Sequence, residues 1–597
     1  MTRFFATSSS DSVADIESSP GIQTANMSGS IDREEVALRT YHKRCIENEN
    51  FRAFDDGDFV AVVGTLILDG KIGGEVLELV YEHVTSGNQS VIREQGLGHY
   101  AVVVCEDDEL TAFTDPNGVF ELYYMSGENW IISDGLAACS RSLDSRTVNR
   151  HQLFELAIEY SEISEASVFD SVDRLFGSEM LEVNLTDGTL RVSEVGLPER
   201  DWDYTDASFG DVLTDYASRV RDTFEELEQA SDSIGVQATG GLDSRTVLGG
   251  LLNEGVEPII LYGVGNSKLT NTKDSDAMLA KRFADRYDLP FEQLDWREEY
   301  PLGIDTWNNL FRSYGFDFLM YGATTSFFDS FTDRGENMPE LVMSGYGFGT
   351  VSNTYFWEMS DVTPISFEDL VKDYFTAVDC FENSLRNRSE YEEELVDECQ
   401  AALQKLTNEP LEEPFDIGEF SKVIQLLFGR PQSAYASSAN EFTFHIAPLA
   451  TYELSRPVID FPTEYRAGER IRIHLIKDLF PDILEPPLFS GRKQASITEN
   501  GRIRRPVSER LKQRVDDSFP EFLLQLIRPV YYRFTDNNPL DDIDTEILEE
   551  AADYIETTGV IDNQFEAEKQ HGSVRQTLRL ALLCYAVDQI GYDSLQR

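Results

Sequence analysis

Ile234-Gly235-Val236-Gln237-Ala238-Thr239-Gly240-Gly241-Leu242-Asp243-Ser244-Arg245 is the stretch that decides how the chain is read. Ile234, Val236 and Ala238 alternate as in a strand. Beyond the glycines, Val247, Leu248, Leu251 and Leu252 recur at helical spacing up to a closing Gly255. A strand running through Gly-Gly into a helix suits a phosphate. Glycine has no Cβ, so backbone N–H groups can approach the anion, and the helix N-terminus adds roughly half a positive charge. Thr239 and Ser244 bring hydroxyls for phosphate oxygens, and Asp243 brings a carboxylate for the Mg²⁺ that neutralises a leaving pyrophosphate. No Gly-Lys-Ser/Thr follows at the spacing of a Walker loop. The plainer reading is an ordinary tight turn of a doubly wound fold. The whole string from Thr239 to Ser244, placed between strand and helix, favours ATP pyrophosphate.

Working outward, Phe209, Val212, Leu213, Tyr216, Val220, Phe224 and Leu227 predict an amphipathic helix before the loop. Val256–Val264 reads as the next strand and Ala277–Tyr287 as the next helix, so the unit is βαβα with a parallel sheet. Beyond about residue 360 the pattern is mostly helical, and residues 206–597 are taken as one α/β domain. Before it, residues 31–205 read as short strands. Phe59–Leu68 and Tyr100–Cys105 are apolar runs, and Asp115-Pro116-Asn117-Gly118 and Asp187-Gly188 are turns. Residues 1–30 are rich in Ser, Thr, Gly and Asp and are expected to be a disordered tail.

Composition narrows the partners. The 597 residues carry 108 acidic and 50 basic groups, a formal charge of −58 spread along the chain. A field of that sign repels phosphate backbones and anionic lipid, so neither nucleic acid nor a membrane is expected as a partner. Dispersed acidity suits molar salt, where the screening length shrinks to about 3 Å, and the chain reads as halophilic. The six cysteines show no CxxC pairing and read as core thiols. The first residues lack the apolar segment of a signal peptide, and no run approaches the roughly 18 apolar residues of a membrane helix, so a cytoplasmic protein is expected. The seven histidines form no HExxH and no Cys/His cluster, and the pattern offers no transition-metal site. Oligomeric state is not legible.

Ala238–Arg245 resembles the Ser-Gly-Gly-Leu-Asp-Ser loop of the asparagine synthetase family, with Thr239 keeping the serine's hydroxyl. Asp115–Tyr124 with Ile132-Ser133-Asp134 is similar to the second half of that family's glutaminase domain. Trp202, Asp276–Ala284, Ala447-Pro448-Leu449 and Arg492-Lys493 resemble further segments. The resemblance implies an N-terminal Ntn-hydrolase-like β-rich sandwich, followed by an adenine nucleotide alpha hydrolase-like (PP-loop) synthetase domain with a helical C-terminal part. It implies ATP and Mg²⁺ as cofactors. A carboxylate, aspartate by default, would be activated as an acyl-adenylate and captured by ammonia or another amine. Thr239, Gly240, Gly241, Leu242, Asp243, Ser244, Ser344 and Gly345 would line the ATP site, with Asp243 on the metal. Tyr262 and Gly263 would supply backbone contacts to adenine, and Lys493 would stabilise transition-state charge, its alternative being a solvated surface residue.

Two departures matter. Glutamine-using members begin, once mature, with a nucleophilic cysteine, whereas Thr2 stands here and Cys45 sits in what reads as a polar helical stretch. The glutaminase-like domain is therefore expected to be inactive. Ser344-Gly345-Tyr346-Gly347-Phe348-Gly349-Thr350 aligns with the family's Ser-Gly-Glu-Gly-x-Asp-Glu, so three acidic positions become Tyr346, Gly349 and Thr350. A tyrosine at Tyr346 is similar to β-lactam synthetases, where a Tyr–Glu pair is the base, and Glu382 is one candidate partner. Three readings stay open: an amide-forming ligase, a nucleotide-binding regulator that has lost its chemistry, and a tRNA-adenylating enzyme, which would want the basic face this chain lacks.

Overall fold

The computed structural model describes residues 3–8, 12–20, 22, 24–54, 57–143, 145–159, 163–264, 276–295, 308, 311–312, 334–345, 366–375, 388–407, 423, 426–427, 439–466, 470–484, 488–490, 493–497, 503–504, 554–555, 574–590 and 594–595. The first thirteen strands are β1 (Phe4–Thr7), β2 (Met27–Asp32), β3 (Ala37–Tyr41), β4 (Phe51–Ala53), β5 (Phe59–Ile67), β6 (Leu97–Glu106), β7 (Glu109–Thr114), β8 (Tyr123–Met125), β9 (Ile131–Ser133), β10 (Thr147–Val148), β11 (Asp173–Arg174), β12 (Glu179–Asn184) and β13 (Thr189–Glu194). All but β10 build two antiparallel sheets, ordered β11-β8-β9-β1-β3-β2 and β13-β12-β7-β6-β5-β4.

Strand β5 shows why its sequence is an unbroken apolar run. Phe59, Ala61 and Val63 face the other sheet, where they meet Phe4, Ala6, Leu38 and Ile132. Val60, Val62 and Leu66 face outward against Val76, Leu77, Val80 and Ile92 of the helices Gly74–Thr85 and Gln89–Gln95. A strand covered on both faces loses the alternation of a half-exposed one. The other sheet's outer face, with Phe5 and Ile131, is covered by the helices Leu136–Arg141, Arg150–Glu159 and Val574–Ile590. The result is a four-layer αββα sandwich.

The expected disordered tail is overturned by this arrangement. Strand β1 lies between β9 and β3, with Phe4, Phe5 and Ala6 fully buried, and Val13–Glu17 is a short helix. Burying two phenylalanines on opposite faces outweighs the Ser-rich composition that follows them. Cys45 is corrected too: it occupies a buried bend, its N–H donating to Phe442 O at 2.9 Å, and not a helix. The described cysteines, Cys45, Cys105, Cys139, Cys399 and Cys584, are buried and form no disulfide among the described residues, as expected of core thiols.

The Asp115 turn forms as expected, with Gly118 at positive φ. The Asp115 carboxylate is buried and accepts from Val119 N at 3.2 Å and Phe120 N at 2.9 Å. Desolvation outweighs these bonds and pushes its pKa up to about 6. The folded value lies above the unfolded one, so the folded state holds the proton more tightly and stability falls as pH rises through the interval between them. Asp115→Asn should therefore gain on the wild type by on the order of 2 kcal/mol between about pH 4 and about pH 6 in paired denaturant melts. Parallel pH profiles for the two proteins would reject this.

The parallel sheet contains β14 (Ile234–Gln237), β15 (Ile259–Val264), β16 (Phe291–Asp295), β17 (Leu341–Ser344) and β18 (Phe444–Ile446), in the order β16-β15-β14-β17-β18. One face packs on the helices Phe209–Gln229, Leu242–Asn253, Asp276–Tyr287 and Arg470–Leu479 through Ile234, Val236, Ile260, Leu341 and Met343. Leu261, Leu294 and Val342 point the other way, into a cluster with Leu395, Cys399 and Leu403 of the helix Arg388–Thr407. The helix before the loop is closed by a capping box between Ser208 and Asp211. The expected parallel α/β unit is thus present, but the largely helical reading beyond residue 360 is incomplete, because β18 is the fifth strand. A strand of three residues, Phe444-His445-Ile446, is too short to show a period.

Strand β18 also joins the sheet to the sandwich. His445 N donates to Thr65 Oγ1 at 2.9 Å, and Ala447 N donates to His99 Nε2 at 3.2 Å. Buried Lys43 donates to Asn440 O at 2.6 Å, its pKa lowered by burial. Asn117 of the Asp115 turn donates to Ala450 O and Ser455 Oγ, both at 2.9 Å, and accepts from Arg456 Nε at 3.0 Å.

Candidate functional site

The order β16-β15-β14-β17-β18 places the first strand of the unit beside the fourth. In a doubly wound sheet that strand order marks the switch point, at the C-terminal ends of β14 and β17. The glycine loop follows β14, and Ser344 ends β17 with Gly345 after it, so the two segments lie side by side at that point. They also touch. A Cβ on Gly345 would lie 2.7 Å from the carbonyl carbon of Asp243 and from Ser244 Cα, so only glycine admits this approach.

Gly241 is the N-cap of the helix Leu242–Asn253 and makes no side-chain cap. Its N–H donates to Thr239 Oγ1 at 3.2 Å, Thr239 N donates to Ser244 Oγ at 2.9 Å, and the two hydroxyls lie 2.9 Å apart. The sequence reading aimed both hydroxyls at phosphate. In the structure they also bond each other and hold the loop's shape.

Positive charge gathers behind the loop, although the chain as a whole is strongly acidic. Arg245 is fully buried, donating from Nε to Gly240 O at 3.2 Å and from Nη1 to Ile483 O at 3.1 Å, with its guanidinium 4.9 Å from the Phe283 ring. Arg472 is also buried, forms an ion pair with Asp243, and has its pKa pulled down to about 9 by desolvation. Sequence reasoning missed Arg472, since nothing in Arg470-Ile471-Arg472-Ile473 marks it as a neighbour of a distant loop. The carboxylate expected on a metal is instead engaged by a guanidinium. Ser344 Oγ, buried at the end of β17, has no hydrogen-bond partner among the described residues. Such an orphaned hydroxyl beside the loop is what a bound polar ligand would satisfy.

Other expected site residues are placed less fully. Tyr262 and Gly263 lie near the C-terminal end of β15, paired with Gln293 and Leu294. Strands β19 (Leu488–Ser490), β20 (Lys493–Ile497) and β21 (Ile503–Arg504) form a small antiparallel sheet, in which Lys493 pairs with Ser490. Tyr346, Gly349, Thr350, Glu382 and Thr2 lie outside the described residues.

In the sandwich, Asp134 accepts from Arg3 N at 2.9 Å, Phe4 N at 3.0 Å and Arg3 Nε at 2.7 Å, which pins the start of β1. Its neighbour Ser133 donates from Oγ to Phe4 O at 2.7 Å.

No family model matches the sequence, and no curated protein matches it. Among solved structures it is similar to an allosteric regulatory enzyme of purine biosynthesis, at 11% identity over 44% of this chain and 51% of that one, with a TM-score of 0.17. It is also similar to glutamine phosphoribosylpyrophosphate amidotransferase from B. subtilis complexed with ADP and GMP, at 10% identity over 44% and 52%, again with a TM-score of 0.17. The chain thus spans about half the length of each. At that TM-score the likeness supports neither a fold nor an activity. No described helix is long and apolar enough to cross a membrane.

Proposed function

We propose that the protein is an ATP-dependent, amide-forming ligase of the asparagine synthetase type, whose loop Thr239–Ser244 holds ATP pyrophosphate while a carboxylate becomes an acyl-adenylate. The observation that carries this is the site's position and charge. A glycine loop and helix start occupy the switch point of a parallel sheet, backed by the guanidinium groups of Arg245 and Arg472, with Ser344 Oγ unpartnered beside them.

These residues fit a nucleotide. Backbone N–H groups of the first helical turn would bind phosphate oxygens, and Arg245 and Arg472 would offset their charge. Mg²⁺, when bound, supplies further charge neutralisation at the pyrophosphate. Among the described residues Asp243 is the carboxylate placed to hold it, which suffices for an ion that takes most of its ligands from phosphates and water, provided Arg472 releases it. The Arg472–Asp243 pair thereby sets a competition: guanidinium and metal do similar electrostatic work on one leaving group. Aspartate as the carboxylate and ammonia as the amine rest on the sequence resemblance. The sandwich half is read as a glutaminase-like scaffold without hydrolysis.

The test is calorimetric titration of ATP with and without Mg²⁺ in high salt, on the wild type and Asp243→Ala, followed by release of pyrophosphate with aspartate and ammonia. Binding should weaken at least tenfold in the variant when metal is present, and the wild type should release pyrophosphate. Binding without release on any carboxylate would favour the regulatory reading. Absence of ATP binding by the wild type would sink both.

A further inference from the structure

Away from the nucleotide loop, two helices bring a second set of ionisable groups together. The helix Arg150–Glu159 of the sandwich presents His151 and Glu155 one turn apart. The helix Arg388–Thr407, packed on the far face of the parallel sheet, presents Glu394 and Glu398 at the same spacing. Atoms of His151, Glu155 and Glu398 converge within 4.8 Å of one another. His151 Nε2 lies 2.9 Å from Glu398 Oε2 and 3.6 Å from Glu155 Oε2. Three ligands on a tetrahedral ion with bonds near 2.1 Å sit about 3.4 Å apart; the 3.6 Å pair is close to that, and the 2.9 Å pair, a hydrogen bond here, would open slightly around an ion.

What distinguishes this cluster from a patch of surface acid is how its atoms are divided. Both carboxylates turn one oxygen inward and have the other held from behind: Glu398 Oε1 accepts from Gln152 Nε2 at 2.7 Å, and Glu155 Oε1 accepts from Ile163 N. Glu394 Oε2 lies 3.0 Å from His151 Nδ1 on the ring's other side. Carboxylates held in this way from an outer shell are aimed at an ion. The second, independent sign is Glu155 Oε2. Glu155 is fully buried, and this oxygen has no hydrogen-bond partner among the described residues. The positive group facing that oxygen is His151 Nε2 at 3.6 Å, and since Glu155, Glu394 and Glu398 all converge on this one imidazole, carboxylates outnumber cations in the cluster. The edge of the cluster is open, since the Glu398 side chain is 23% exposed and that of Glu394 55%, which leaves a path for an ion and a position for water.

We infer that His151, Glu155 and Glu398 form a binding site for a divalent transition-metal ion of the Zn²⁺ type, which ties the sandwich helix to the helix on the parallel sheet's far face. One imidazole and two carboxylates suit Zn²⁺ or Mn²⁺ better than Mg²⁺, which prefers oxygen alone. The site is separate from the nucleotide loop and does not depend on the reading of that loop.

The experiment is titration of the metal-stripped full chain with Zn²⁺ by calorimetry in high salt, with a competing chelator to suppress weak surface carboxylates and Mg²⁺ as control. One tight site per chain is expected, weakened at least tenfold in Glu155→Gln and in Glu398→Gln, with Zn²⁺ raising the melting temperature of the wild type only. X-ray absorption at the zinc edge should show one nitrogen ligand among oxygens. Glu155→Gln keeps volume, and circular dichroism of the metal-free variants checks folding separately. Equal Zn²⁺ affinity in the wild type and both folded variants, or no tight site, would overturn the proposal and leave the cluster as an imidazolium-centred clamp.

Discussion

Replacing Asp134 by alanine is expected to destabilise the protein by about 3–5 kcal/mol, near the top of what one side chain produces. The Asp134 side chain is fully buried and that of Arg3 is 8% exposed. Removing the carboxylate leaves two backbone N–H groups without their acceptor and takes the anion away from a buried guanidinium that also lies 4.8 Å from the Phe120 ring. Surface ion pairs do not behave this way, because solvent replaces the lost partner. Asp134→Asn should lose roughly half as much, because the carboxamide oxygen can still accept from Arg3 N and Phe4 N. Urea denaturation followed by tryptophan fluorescence reads both, Trp130 being fully buried in the sandwich core. A loss below about 1 kcal/mol for the alanine variant would show that β1 is held by its flanking strands alone.

Gly345→Ala is expected to weaken MgATP binding about a hundredfold and, because backbone must shift to admit the methyl, to lower the melting temperature by a few degrees. The new methyl would meet the Asp243 carbonyl carbon and Ser244 Cα at 2.7 Å, so the first helical turn must move. These contacts are backbone atoms, which cannot rotate aside as a long side chain can. The same N–H groups are the ones read as phosphate donors, and a displacement of about 1 Å there is costly in binding geometry. Calorimetry with ATP and Mg²⁺ measures it. Undiminished affinity in a folded variant would mean that the nucleotide, if bound, lies elsewhere.

Much of the fold could be read from local pattern. The strand, glycine turn and helix at residues 234–253 announce themselves, because a strand's two-residue period gives way to a helical one within a few positions. The Asp187-Gly188 hairpin and the helix Phe209–Gln229 are visible for similar reasons. What stayed hidden depends on distance along the chain. Phe4-Phe5-Ala6 is a three-residue signal diluted by a polar tract, and it becomes a central strand only because β3 and β9 flank it. Arg472 reaches Asp243 from a helix far along the chain, and no spacing rule links them. His151 and Glu155 look like any His-x-x-x-Glu pair in a sequence so rich in acid. Only packing brings Glu398 beside them.

One consequence concerns the order in which the chain is made. The sandwich's outer helical layer is completed by Val574–Ile590, packed beside Arg150–Glu159, and Ser594–Leu595 pairs in parallel with β10. At the usual pace of about 5–20 residues per second, the ribosome needs tens of seconds between these two helices. For that time Leu153, Phe154 and Leu156 wait without their final cover. A nascent chain in this position exposes an apolar face that invites chaperones, and a stop codon before residue 574 would make the exposure permanent. Such truncations should therefore be cleared by proteases as full-length misfolds are, whatever the fate of the glycine loop.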